Sequence, residues 1–181
     1  MLIQTTREDH RIAWLTALAV TIHIAESALP SPLPGIKPGL ANVVTVVVLR
    51  QFGFRIAMWV SLLRVVVGSF LIGTFLSPTF ILSLSGAIVS LLLLGFLTKL
   101  LGRGCGPIGL SVVAALGHTW AQVWVAYRLF IQHDGLFRLL PVLMTAALVF
   151  GIVNGVIAFA VIKKLETTQT TGNCTTKNLK R

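Results

Sequence analysis

The sequence predicts an all-α integral membrane protein whose helices form one bundle. Hydrophobic residues make up 55% of the 181-residue chain and charged residues only 11%, against about 25% charged in an ordinary soluble domain. The mean hydropathy is +0.89. The apolar residues gather into six runs divided by short polar or glycine- and proline-bearing segments, and a bilayer-spanning helix takes roughly 20 mostly apolar residues.

The runs follow in order. A charged start, residues 1–11, leads into IAWLTALAVTIHIAESAL, about 12–29. After a proline-rich segment comes GLANVVTVVVL, 39–49, which reaches span length only by continuing through RQFGF. Then come 56–76, 80–101, 108–130 and 139–162, so that a six-helix membrane domain occupies 12–163. Residues 164–181, polar and basic without apolar periodicity, read as a disordered tail.

Charge orients the bundle. The net charge is +10, and six spans with a cytoplasmic N-terminus place Arg7, Arg11, Arg50, Arg55, Lys99, Arg103, Lys163, Lys164, Lys177, Lys180 and Arg181 inside. Only Lys37, Arg128 and Arg138 fall outside, and Arg64 is left in the membrane. This asymmetry obeys the positive-inside rule and predicts a multi-pass inner-membrane protein with both termini cytoplasmic. Two alternatives spoil it by exporting the basic tail: a re-entrant second run, and a first run cleaved as a signal peptide near ESA. Cys105 and Cys174 have no metal-ligand or redox spacing.

The segment SALPSPLPGIKPG, between the first two runs, holds prolines that fix φ and remove backbone donors. It reads either as a stiff lid over an outward-facing pocket or as a rigid connector. Charged groups inside spans are functional candidates by default. Arg64 lies about eight residues, roughly 12 Å, into the third run, and His118 lies at similar depth in the fifth. Gln122 shares the His118 face one turn on, Glu26 reaches that level from the first run, and Asn42 opens the second. Glu26, Lys37, Asn42, Arg64, His118 and Gln122 therefore form the candidate ligand site. An arginine with a lysine suits an anionic ligand, because guanidinium binds carboxylate or phosphate as a fork. The competing reading makes Glu26–Arg64 a structural ion pair and His118, Gln122 and Asn154 interhelical hydrogen-bonding groups.

Small residues spaced by four mark close helix approach at Ser69 and Gly73, Ser83 and Ala87, Gly117 and Ala121, and Gly151 and Gly155. Ala13 and Ala17, near the cytoplasmic end, mark a face on which a partner subunit would dock. Of the five acids two sit at the N-terminus, and there is no acidic pair or aspartate-rich cluster to hold magnesium and diphosphate, no nucleotide-binding glycine loop and no nucleophile with a base at a recognisable spacing. The four histidines lack the paired arrangement that haem would need, so no metal, cofactor or nucleic-acid partner is expected. Independent enzymatic activity is not supported either.

The strings LPGIKPGLANVV, RVVVGSFLIGTFLSPTFILSLSGAIVSLL and GPIGLSVVAALGHTWAQ resemble the Gx transporter family, also labelled heptaprenyl diphosphate synthase component I, over about residues 12–163. These small proteins are similar to the substrate-binding S components of energy-coupling-factor transporters. The resemblance implies an S-component-like six-helix fold, an outer pocket gated by the first loop, and docking through the first helix onto an energising membrane subunit with ATPases. It maps onto Lys37, Asn42, Arg64, His118 and Gln122. The label also implies a second possibility, an accessory component of a soluble prenyl diphosphate synthase that accommodates an isoprenoid lipid. A third is a membrane module of a flavin- or quinone-linked electron-transfer system.

Overall fold

The computed structural model describes residues 7–28, 41–130, 132–133 and 135–178. The proline-rich segment, and with it the expected lid and Lys37, lies outside these residues. The described chain is all-helical: α1 (Arg7–Ala28), α2 (Ala41–Phe52), α3 (Phe54–Ile72), α4 (Pro78–Leu101), a 3₁₀ turn at Gly102–Gly104, α5 (Pro107–Leu129) and α6 (Gly135–Asn178). Four of these, α3 to α6, are long and apolar enough to cross a membrane. Their outward faces carry large apolar side chains such as Phe70, Leu92, Phe96 and Leu100, each more than 60% exposed, which a water-soluble surface does not tolerate in such number. The molecule is an α-helical membrane protein.

The count of six spans meets a different geometry at α1 and α2. The 22 residues of α1 have the length, but Arg11, His23 and Glu26 interrupt its apolar sequence. The second run does not continue through RQFGF. It stops at Phe52, because Gly53 adopts φ +87°, a conformation that side-chain-bearing residues avoid, and α3 starts at once. At about 1.5 Å per residue, the 12 residues of α2 cover roughly 18 Å of a bilayer core about 30 Å thick.

An apolar helix of that length suits a protein core better than a lipid environment, and α2 is the buried centre of the bundle. Val44, Val46, Val47, Val48 and Leu49 are all buried, Val46 and Val48 completely. They join Ala19 of α1, Ile56, Ala57 and Val60 of α3, Leu94 of α4, Leu110 and Ala114 of α5, and Ala158 and Ile162 of α6 in one core.

Punctuation residues set the other boundaries. Gly73 at φ +78° ends α3, with its N–H donating to Phe70 O (3.2 Å) and the Thr74 N–H to Ser69 O (2.8 Å). The apolar run expected over 56–76 therefore breaks four residues early. Ser77 caps α4 by accepting from the Phe80 N–H (3.4 Å), with Pro78 in the first turn.

At the Gly53 end, Arg50 Nη2 donates to Cys105 O (2.7 Å), tying α2 to the connection between α4 and α5. Arg11, Arg55, Lys99, Lys163 and Lys164 gather here too, making this the basic end of the bundle. The helix α6 continues past 163 as far as Asn178.

Glycines bring the last two spans together. A Cβ on Gly155 would stand 2.7 Å from Ile108 Cα, and one on Gly151 would stand 3.0 Å from Val112 Cα. The α5–α6 pair thus packs backbone to backbone along the small-residue face expected at 151 and 155. Ser90 of α4 donates to Ala114 O of α5 (2.8 Å) in the interior.

Candidate functional site

Arg64 sits halfway along α3 and is only 4% exposed. The hairpin at Gly53 makes α2 and α3 antiparallel neighbours, and Asn42 and Arg64 are nearly equidistant from that turn. One guanidinium nitrogen, Nη2, donates to Asn42 Oδ1 at 3.3 Å. The Nε–H is buried and has no hydrogen-bond partner among the described residues.

Glu26, in the last turns of α1, is also 4% exposed and lies close enough for its carboxylate to act on the charge of Arg64. From α5, His118 lies within electrostatic reach of the same guanidinium. The structure therefore brings together Glu26, Asn42, Arg64 and His118 from four helices. Gln122 is half-buried one turn beyond His118 and makes no hydrogen bond among the described residues.

Two glycines that no sequence pattern singles out shape this site. His118 lies against Gly86 of α4, where a Cβ would stand 2.6 Å from Cε1 and 2.7 Å from Nδ1. The ring lies on the helix backbone at Gly86, and its Nδ1 is buried without a partner among the described residues. His23 of α1 lies in the same way against Gly68 of α3, where a Cβ would stand 2.8 Å from Cδ2. Gly68 is one turn from Arg64 on the same face of α3.

Beside His23, toward the end opposite the basic one, a cleft of about 40 Å³ opens between α1, α3 and α4. Its polar lining is His23, Ser69, Thr74, Thr79 and Ser83, and its apolar walls are Val65, Ile72 and Phe80.

Ala13 and Ala17 lie apart from this region, near the basic end of α1. Both are exposed, and Trp14 and Leu18 beside them are 78% and 53% exposed. The small-residue face expected to meet a partner is thus uncovered in the isolated chain. On α5, Trp120 and Trp124 stack at 6.4 Å between centroids, with Arg128 5.3 Å over the Trp124 ring.

A buried cationic site in a bundle of which four helices are long and apolar enough to cross a membrane defines the class: a polytopic helical membrane protein with polar groups gathered in its interior. The chain belongs to the heptaprenyl diphosphate synthase component I family, whose model matches residues 15–161. No curated protein and no solved structure matches it.

Proposed function

We propose that this protein is a membrane-embedded ligand-binding subunit of the S-component type. It takes up a small or amphiphilic anionic ligand from the outer side and depends on partner subunits for energy. One observation carries this reading: Arg64 is buried beside Asn42, Glu26 and His118 with its Nε–H unpartnered among the described residues. A buried guanidinium with an unused donor is costly unless something accepts from it. A carboxylate or phosphate does so in fork geometry. In this reading the basic end faces the cytoplasm, α1 to α6 together make the six-helix membrane domain, Lys37 and Gln122 complete the ligand contacts, and the Ala13–Ala17 face docks an energising membrane subunit served by ATPases.

The family name favours a second reading, a membrane accessory component of a prenyl diphosphate synthase. A diphosphate would use the same arginine, and the soluble partner would supply the metal-binding carboxylates that this chain lacks in sequence.

Gentle purification from the native membrane, with mass spectrometry of co-purifying proteins and small molecules, separates the two. ATPases, a second membrane subunit and a small anion support the first. A soluble chain rich in aspartate motifs together with an isoprenoid supports the second. In either case Arg64→Gln should release the small molecule while the protein stays folded. A loss of folded protein in proportion to the loss of ligand would mean a purely structural ion pair.

A further inference from the structure

We infer that the cleft between α1, α3 and α4 is a second subsite, one that takes an uncharged hydroxyl, carbonyl or amide group of the same small molecule whose anionic group meets Arg64. This rests on the proposed anion site and adds the chemistry of the rest of the ligand.

The two places share a wall. His23 lines the cleft and also lies against Gly68, one turn from Arg64 on the same face of α3. Val65, next to Arg64 in the chain, lies in the cleft as well. On α4, Thr79 and Ser83 share a face, and Gly86, where His118 rests, comes within a turn of Ser83. Residues of α1, α3 and α4 thus border both the cleft and the surroundings of Arg64. Arg64 and Ser69 are separated by about 7.5 Å along α3, a span that a molecule of a few carbon atoms covers.

The lining is matched to a neutral polar group. Ser69 Oγ donates to Val66 O (2.9 Å) and Thr74 Oγ1 to Ser69 O (3.5 Å), so both hydroxyls offer lone pairs to the cleft. The hydroxyls of Thr79 and Ser83 make no hydrogen bond among the described residues and are available as donors. No acidic or basic side chain other than His23 contributes to the lining.

A polyisoprenyl chain entering here would cover the Thr79 and Ser83 hydroxyls and leave both without partners, at about 1–3 kcal/mol for each one buried. The cleft therefore selects a short hydroxylated or amide-bearing anion over a prenyl diphosphate, whose tail would have to leave the cluster by another route.

The test is a thermal-shift titration of the purified full chain with three probes: gluconate, hexanoate and farnesyl diphosphate. Gluconate and hexanoate match in carbon number and charge and differ in hydroxyls. Gluconate should bind about tenfold more tightly than hexanoate, as two net hydrogen bonds imply. Thr79→Val with Ser83→Ala should erase that preference, and Arg64→Gln should remove both responses. Equal Arg64-dependent responses to gluconate and hexanoate would overturn the subsite and leave the anion site standing, and the comparison between the two probes in the unmodified chain requires no variant to fold. Farnesyl diphosphate binding more tightly than gluconate would also overturn it. If none of the three gave an Arg64-dependent response, both readings would fall.

Discussion

His118 of α5 occupies the space that a side chain at Gly86 of α4 would fill. Three of its ring atoms lie within 2.8 Å of where that Cβ would stand. Glycine at 86 is therefore what lets the imidazole cross from one helix to the backbone of the next, beside Arg64. Gly86→Ala should push the ring away and destabilise the protein by about 1–3 kcal/mol, the usual cost of forcing extra volume into a packed interior. Thermal unfolding of the purified protein measures the loss. Gly86→Ala combined with His118→Ala should recover most of it, whereas a double variant no more stable than Gly86→Ala would show that the clash lies elsewhere.

The buried charges make a coupled pair of predictions. Arg64→Met removes the guanidinium on whose charge the buried Glu26 carboxylate acts, and should lower the unfolding midpoint while leaving the protein folded. Adding Glu26→Gln removes the second charge and should restore most of that midpoint without restoring anion binding. A double variant as unstable as Arg64→Met alone would mean that the two charges do not compensate each other.

The α5–α6 seam is less forgiving than the Gly86 contact, because backbone opposes it. Gly155→Leu would drive a side chain against Ile108 Cα, 2.7 Å from the new Cβ, and a backbone atom cannot rotate aside as an imidazole can. The expected result is a fall in detergent-stable yield larger than that for Gly86→Ala, read by size-exclusion chromatography. Leucine at the lipid-exposed Ile152 in the same helix serves as the control and should be neutral.

Arg50 should act as a clasp at the basic end. Its 2.7 Å hydrogen bond to Cys105 O is charge-assisted, and such bonds contribute about 1.5–3 kcal/mol. Arg50→Met should lower the unfolding midpoint accordingly, and Arg50→Lys should recover part of it, since lysine keeps the charge but not the reach of the guanidinium. Identical midpoints for Arg50→Met and the unmodified chain would rule the clasp out.

The exposed face of α1 gives a prediction about assembly. Leucine at Ala13 and Ala17 should reduce co-purification of partner subunits without altering the anion response, because both residues lie near the basic end, away from Arg64. Retention of partners by this variant would remove the docking role from that face.

Much of the architecture was legible because bilayer physics leaves few options. Long apolar runs such as 80–101 and 108–130 become helices, and an arginine in the middle of one is conspicuous. The gathering of Glu26, Asn42, Arg64 and His118 came from matching helix depths alone.

What escaped the sequence depends on neighbours far along the chain. Nothing in VVTVVVL distinguishes a lipid-facing helix from one surrounded by protein, so the central position of α2 was hidden. Gly86 and Gly68 look like any small residues until His118 and His23 are laid across them. The cleft was invisible for a different reason. Serine and threonine are inconspicuous in helices because they bond to their own backbone, as Ser69 does to Val66, so hydroxyls clustering from α3 and α4 give no periodic signal.

The abrupt turn at Gly53 also bears on how the protein is made. A helix of 12 residues is too short to hold itself across a bilayer, and here no loop separates it from the next. During synthesis α2 would have nothing to retain it until α3 emerges, so the two must enter the membrane together as a hairpin. A nascent chain released after Phe52 would leave its valine-rich segment at the membrane surface, and the Asn42–Arg64 contact would have to form in the same event that completes insertion.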